Sequence, residues 1–135
     1  MSGERLSPIE MLRRLVGFDT TSSKSNMALI EDVRGYLAGH GVQARLVPNE
    51  DGTKANLFAT IGPDGEGGVV LSGHTDVVPV EGQDWATDPF TLVERDGRAY
   101  GRGTTDMKGF IATALALVPE MVAARPRTPL HFAFS

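Results

Sequence analysis

The stretch Val69–Val80, VVLSGHTDVVPV, combines an apolar run with an imidazole and a carboxylate two positions apart. A continuous apolar run is typical of a strand that is covered on both faces, so we expect residues 69–73 to form a central strand. In an extended segment, residues i and i+2 point the same way, so His74 and Asp76 can face one pocket while Thr75 turns away. Buried polar groups cost free energy without partners, so the pair either serves a site or forms a structural hydrogen bond.

Two helices are predicted upstream of this stretch. Ser7, Pro8 and Glu10 have the spacing of a capping box with proline at the first helical position, and Gly17 is a stop signal. A second helix is predicted over residues 26–38. The apolar positions at helical spacing in the two helices are Ile9, Leu12, Leu15 and Val16, then Leu29, Ile30, Val33 and Leu37.

Strands and helices alternate in the rest of the chain. VQARLVP and ANLFATIG have the pattern of strands, the glycine-rich GPDGEGG is a turn, and FTLVERDGRAYG predicts a hairpin that turns at Asp96-Gly97. TDMKGFIATALALVPEMVAA predicts a buried helix in which Pro119 either introduces a kink or starts a new turn, and TPLHFAFS predicts a last strand with an unpaired apolar edge. This order indicates an α/β domain, in which sites form at the carboxyl ends of strands, where His74 and Asp76 lie.

A second group of chemistry-bearing residues is GRGTTDMKG, residues 101–109. Two glycines precede Asp106, and glycine permits backbone angles and close approaches that other residues resist. Asp106 is therefore either the cap of the following helix or a metal ligand that a glycine-rich turn holds in place. We expect Lys108 to be solvated or ion-paired rather than catalytic.

Three further residues have open or structural interpretations. Trp85, the single tryptophan, either lines a pocket or anchors the loop EGQDWATDPF, in which Asp88-Pro89 indicates a turn. His40 follows a helix and His131 lies inside a strand, and we expect both to be structural.

Composition limits the function classes. The 135 residues suit one domain, and a formal charge of −4 gives no reason to expect nucleic acid or an anionic membrane as a partner. The absence of cysteine excludes disulfides and thiolate metal sites and fits a cytoplasmic protein. The N-terminus does not have the pattern of a signal peptide, and no segment approaches the ~20 apolar residues of a membrane span.

These segments together resemble the M20 family of metallopeptidases and deacylases. The motifs that match are SGHTDVVP, the W and PF that follow it, GRGTTDMKG about thirty residues later, and ANLFATIG upstream. The resemblance implies a three-layer α/β sandwich with a mostly parallel mixed sheet, as in zinc-peptidase catalytic domains. It also implies that His74 is a zinc ligand, that Asp76 is the catalytic residue that orients His74, and that Asp106 bridges two zinc ions (cobalt possible), with a cis peptide after Asp106.

The resemblance also implies a substrate class, an N-acylated amino acid. The short connection between Val78 and Phe90 is similar to that of members that hydrolyse N-acetyl-L-ornithine to L-ornithine and acetate in arginine biosynthesis. Succinyl-diaminopimelate desuccinylases and other aminoacyl peptidases of the family are the alternatives within the same class. Alternatives of another class are a non-catalytic fragment or interaction module that retains the fold, and a protein that binds a single metal ion.

The chain departs from the family in its length. Family members run to several hundred residues, form homodimers through a second, lid-like domain, and carry a pair of glutamates just after a strand that resembles LHFAFS. We therefore expect residues 1–135 to be the N-terminal portion of the catalytic domain. A catalytic zinc generally has three protein ligands, so this portion is expected to be inactive and to bind zinc weakly if at all.

Overall fold

The computed structural model describes residues 3–135, which form a mixed α/β fold. The helices are α1 (Pro8–Val16), α2 (Met27–Gly39), α3 (Gly109–Ala116) and α4 (Val118–Ala124). The strands are β1 (Ala44–Pro48), β2 (Ala55–Ile61), β3 (Val69–Gly73), β4 (Val93–Arg95), β5 (Arg98–Tyr100) and β6 (Leu130–Phe134). The predicted elements are thus confirmed, with boundaries that differ by a few residues, except that the predicted last helix forms two helices, α3 and α4.

Four of the strands form one mixed sheet in the order β1-β2-β6-β3. β2 pairs antiparallel with both β1 and β6, and β3 pairs parallel with β6, with Gly73 opposite Phe134. β4 and β5 form a separate hairpin, whose turn residues Asp96 and Gly97 have φ values of 54° and 73°. Positive φ at both positions is typical of a tight hairpin turn, as the Asp-Gly pair predicts.

The positions of two strands differ from the prediction. β3 is not central but lies at the edge of the four-stranded sheet, and Val69 and Val70 are about half exposed. β6 does not offer an open edge, because β2 and β3 pair with its two sides. The reason is that β6 inserts between β2 and β3. β6 therefore occupies the central position that the apolar run of β3 predicts for β3.

The hydrophobic core lies between the helices and one face of the sheet. Inward residues of β2 and β6 pack with α1, α2 and α3, and Phe132, Phe134, Leu57 and Leu115 are almost fully buried. On the opposite face, Phe58 is 37% exposed and stacks on His131. In this chain the helices therefore cover one face of the sheet, which positions β3 and its carboxyl end beside α3.

The long apolar helix predicted after Asp106 is divided into two. α3 ends at Ala116, and α4 begins at Val118 with Pro119 in its first turn, where the missing N–H of proline costs least. Within residues 3–135, no single helix has both the length and the apolar character needed to cross a membrane. The two helical segments 104–116 and 118–124 meet that length and composition only when they are counted together, across a bend of 40°.

The first helix begins with the predicted capping box. The Ser7 hydroxyl accepts a hydrogen bond from the Glu10 amide at 3.2 Å, and the Glu10 carboxylate accepts one from the Ser7 amide at 2.8 Å. We expect Ser7→Ala to lower the free energy of unfolding by about 1 kcal/mol, because one helix-end amide loses its partner. Chemical denaturation measures this loss. Ser23→Ala, at an exposed serine outside the helices, is the control, and equal stability of the two variants would contradict the prediction.

Candidate metal centre

His74, Asp76 and Asp106 lie together at the carboxyl end of β3. His74 Nε2 is 2.8 Å from Asp106 Oδ1, and His74 Nδ1 is 3.1 Å from Asp76 Oδ1. The imidazole therefore stands between two carboxylates that come from segments thirty residues apart. The structure brings together all three residues that the sequence analysis names for the site.

The surroundings of His74 fix the direction of its ring. Nδ1 also lies 3.0 Å from the main-chain oxygen of Asp76, so Asp76 offers two acceptors on this side of the ring. Partial burial lowers the pKa of His74, but the hydrogen bonds to Asp106 and to the backbone of Asp76 outweigh this effect and raise the pKa above its ordinary value. When Nδ1 carries the proton, the lone pair of Nε2 points toward Asp106.

Asp76 is held on its other side by a hydroxyl that the sequence analysis missed. Ser22 Oγ donates a hydrogen bond to Asp76 Oδ2 at 2.5 Å. This hydrogen bond is the main cause that lowers the pKa of Asp76 below its ordinary value, so the carboxylate stays ionised beside His74. Ser22 belongs to the hydroxyl-rich run Thr20–Ser23, which has the composition of a polar loop, and no local pattern points from that loop to a residue 54 positions later.

Thr75 faces away from this group, as expected, and is 1% exposed. Its hydroxyl donates to the main-chain oxygen of Ser135 at 2.7 Å and accepts from Asn26 Nδ2 at 3.1 Å. Its backbone N–H also donates to the Ser135 oxygen, at 2.6 Å. These buried hydrogen bonds fix the segment that carries His74, and they give both the hydroxyl and the backbone N–H of Thr75 a partner.

Asp106 stands on a distorted turn, Thr104–Lys108, that precedes α3. Asp106 and Met107 have non-helical backbone angles, and the peptide bond between them is cis, as the resemblance implies. The carboxylate side chain is 83% exposed and contacts His74. The helix begins at Gly109 rather than directly after Asp106, and no side-chain hydrogen bond caps it, so the interpretation of Asp106 as a helix cap is not supported.

The glycines of this motif allow close packing around the turn. Gly103 has a φ of 87°, and a Cβ there would lie 2.7 Å from Val77 Cγ1. A Cβ on Gly109 would lie 2.3 Å from the Thr104 main-chain oxygen. Gly103 therefore allows the Asp106 turn to lie against the segment that follows His74, and Gly109 allows the turn to close against its own backbone at Thr104.

The prediction that Lys108 is solvated or ion-paired is wrong. The side chain is fully buried, and Nζ donates a hydrogen bond to the Phe18 main-chain oxygen at 2.8 Å. Burial lowers the pKa of Lys108 to about 8. The methylene groups lie against Gly103, so the side chain runs inward beneath the turn instead of outward from the helix surface.

The remaining singled-out residues make structural contacts. Trp85 Nε1 donates to Gln83 Oε1 at 2.9 Å, and the Arg102 guanidinium lies 5.2 Å from the Trp85 ring, which supports the interpretation as a loop anchor. His40 Nε2 lies 2.8 Å from the Glu4 main-chain oxygen, and His131 Nδ1 lies 2.8 Å from Thr60 Oγ1.

The donor set at the site fits a metal ion as two ligands of a larger set. An imidazole nitrogen and a carboxylate oxygen are ligands that zinc accepts. His74 Nε2 and Asp106 Oδ1 are 2.8 Å apart, close enough for one ion to contact both. Asp76 behind His74 is the carboxylate–histidine arrangement that orients metal-binding imidazoles. Within residues 3–135, His, Asp and Glu side chains form no group of three or more suited to hold a metal ion.

Comparison with known sequences agrees with the motifs. Residues 70–135 match the model of peptidase family M20/M25/M40. The chain is 41% identical over 130 residues to acetylornithine deacetylase of Pasteurella multocida (strain Pm70), and 40% identical over 134 residues to that of Yersinia pseudotuberculosis serotype O:1b (strain IP 31758). Each alignment covers 91% of this chain but 34% of the relative, so the chain spans about a third of the length of the curated relatives it matches.

Comparison with solved structures agrees with the fold. Human carnosine dipeptidase 1 superposes with a TM-score of 0.75 and 27% identity over 95% of this chain and 31% of its own. An M20 family metallo-carboxypeptidase from Sulfolobus solfataricus superposes with a TM-score of 0.77 at 21% identity over 96% of this chain and 30% of its own. The mixed α/β architecture predicted from the sequence is therefore confirmed, as is the resemblance to the M20 family.

Proposed function

We propose that this chain, whose residues 70–135 match the model of peptidase family M20/M25/M40, is part of a zinc-dependent amide hydrolase. The proposed reaction is the hydrolysis of N-acetyl-L-ornithine to L-ornithine and acetate. The observation that carries the proposal is the convergence of His74 Nε2 and Asp106 Oδ1 at 2.8 Å, with Asp76 behind the imidazole. The 41% identity to an acetylornithine deacetylase supports this substrate over others.

The residues of this chain have defined tasks in this proposal. His74 and Asp106 would hold zinc, and Asp76 would keep the Nδ1 proton in place so that Nε2 is free to bind the metal. Zinc ions, when bound, polarise the amide carbonyl and lower the pKa of the attacking water. Two ions, a cytoplasmic location, a homodimer and a place in arginine biosynthesis are parts of the same proposal.

The remaining ligands and the general base would have to enter beside His74. β6 leads to this place, because the Ser135 main chain accepts hydrogen bonds from Thr75 and donates one to the Gly73 oxygen at 3.0 Å. A segment that continues β6 in a longer protein would therefore emerge next to the imidazole. With two ligands of its own, the 135-residue chain is proposed to bind zinc weakly and to lack turnover.

A substrate panel with added zinc tests the assignment. We expect the 135-residue chain to bind zinc at low affinity without hydrolysing N-acetyl-L-ornithine, and a longer protein that contains it to hydrolyse this substrate faster than N-succinyl-diaminopimelate. Turnover by the chain alone with two tightly bound zinc ions would contradict the incomplete site, unless a partner chain supplies ligands. A longer protein without amidase activity would favour the non-catalytic module.

A second candidate function is dipeptide hydrolysis. It is favoured by the superposition on human carnosine dipeptidase 1, at 27% identity and a TM-score of 0.75. The same panel separates the two functions if it includes unblocked dipeptides. Faster hydrolysis of a dipeptide than of N-acetyl-L-ornithine would select this second function.

A further inference from the structure

The loop that follows α1, residues 18–22, contacts the segment that carries His74. Thr20 Oγ1 donates to the Thr75 main-chain oxygen at 2.6 Å, and the Val77 amide donates to the Thr20 oxygen at 3.0 Å. The Ser22 amide donates to the Val77 oxygen, also at 3.0 Å. Thr20 and Thr21 are 2% and 5% exposed, so this part of the loop is fixed against residues 75–77.

The same loop is tied to the Asp106 turn from the other side. Lys108 Nζ donates to the Phe18 oxygen at 2.8 Å, four residues before Ser22. Lys54 also donates to the main-chain oxygen of Ser22. The backbone of Ser22 is therefore held independently of its own side chain, so the hydroxyl can be removed without releasing the loop.

The hydroxyl of Ser22 completes a chain of contacts that ends at the candidate metal ligand. Ser22 Oγ lies 2.5 Å from Asp76 Oδ2, and Asp76 Oδ1 lies 3.1 Å from His74 Nδ1. Oδ2 thus accepts a hydrogen bond from Ser22 and Oδ1 makes an ion-pair contact with the ring, whose Nδ1 is also hydrogen-bonded to the Asp76 main-chain oxygen at 3.0 Å. Because the last torsion of an aspartate is broad, the loss of one partner leaves the plane of the carboxylate free to turn.

We propose that Ser22 is a positioning residue for the metal site, which acts by holding the Asp76 carboxylate in the plane that directs His74 Nε2 toward Asp106. This inference rests on the proposed metal-binding function and adds to it a residue from a loop outside the matched motifs. The hydroxyl of Ser22 bonds to Asp76 rather than to the proposed ligands His74 and Asp106. Its action passes through Asp76 to the tautomer and the orientation of the imidazole.

The first test uses the metal-free 135-residue chain. Nitrogen NMR shifts of His74, measured at a pH where the imidazole is neutral, report the ratio of the Nδ1–H to the Nε2–H tautomer. We expect Ser22→Ala to lower this ratio by about twofold or more, because Asp76 then competes less well with Asp106 for the ring proton. Ser22→Thr keeps the hydroxyl and should restore the ratio, and Ser23→Ala, at the exposed neighbouring serine, should leave it unchanged.

The second test is a zinc titration of the same variants. Loss of a residue that hydrogen-bonds to a metal ligand typically weakens metal binding about 10–100-fold. Ser22 is one contact further from the metal, so we expect Ser22→Ala to weaken zinc binding about 3–10-fold. Equal tautomer ratios in Ser22→Ala and the parent would overturn the positioning role even if both bind zinc. Absence of zinc binding in the parent, with a shifted ratio in Ser22→Ala, would instead overturn the metal function and leave the positioning role standing.

Discussion

Asp106→Ala is expected to weaken zinc binding by the 135-residue chain by at least about 100-fold while the fold is retained. Outer-shell partners of a metal site already contribute about 10–100-fold in affinity, and Asp106 is proposed as a direct ligand. Its side chain is 83% exposed, so its loss should change the free energy of unfolding by no more than about 0.5 kcal/mol. Zinc titration followed by NMR at His74 measures the loss, because Asp106→Ala should show no shift at zinc concentrations that shift the His74 signals of the parent.

The control for Asp106→Ala is Asp64→Ala. Asp64 is exposed in the turn between β2 and β3 and carries the same charge, so its removal tests whether the net charge alone governs zinc uptake. We expect Asp64→Ala to bind zinc like the parent. Zinc binding by Asp106→Ala at the parent's affinity, with the same NMR shifts at His74, would show that the metal site does not include Asp106.

The local elements of this fold could be predicted from the sequence because each has a short-range cause. Ser7 and Glu10 are three residues apart and start α1, and the Asp96-Gly97 pair makes its own turn. The order of strands has no such cause. Val69 and Val70 belong to an apolar run, yet β6 from the far end of the chain takes the central place, and nothing within the run itself specifies this.

The candidate site was predictable to the same extent. His74 and Asp76 are two residues apart, so the period of an extended segment places them side by side, and the motif resemblance adds Asp106. Ser22 and the burial of Lys108 depend on the loop after α1, which meets the other two segments only in the folded chain. A lysine after an aspartate on a turn is ordinarily exposed, and only the position of the Phe18 oxygen beneath the turn gives it a buried partner.

The second large effect concerns the pH dependence of stability, which Lys108 should govern at alkaline pH. Its pKa is about 8 in the folded chain against an ordinary value of 10.5. Between these values the unfolded chain binds more protons than the folded chain, so the free energy of unfolding rises with pH. Below pH 8 the cost of burying the ammonium is present in full, and above 10.5 it is absent.

Lys108→Met isolates this effect because it keeps most of the side-chain volume and removes the charge. From pH 7 to 10.5, we expect the parent to gain about 3 kcal/mol in unfolding free energy relative to Lys108→Met, as a pKa difference of this size requires. Chemical denaturation at a series of pH values measures the difference. If the free energy of unfolding of the parent minus that of Lys108→Met stays constant with pH, the burial of a charged Lys108 is contradicted. If it falls as the pH rises, the pKa of Lys108 is raised by folding rather than lowered.

Lys108→Ala separates packing from charge at the same position. Both substitutions remove the ammonium and its hydrogen bond to the Phe18 oxygen, but alanine also leaves a cavity beneath the Asp106 turn, where the lysine is fully buried. We therefore expect Lys108→Ala to be less stable than Lys108→Met by about 2–3 kcal/mol at every pH, in line with large-to-small substitutions in cores. Equal stability of the two variants would mean that the methylene groups do not pack against Gly103. Because the turn carries Asp106, the cavity should also loosen zinc binding more in the alanine variant than in the methionine variant.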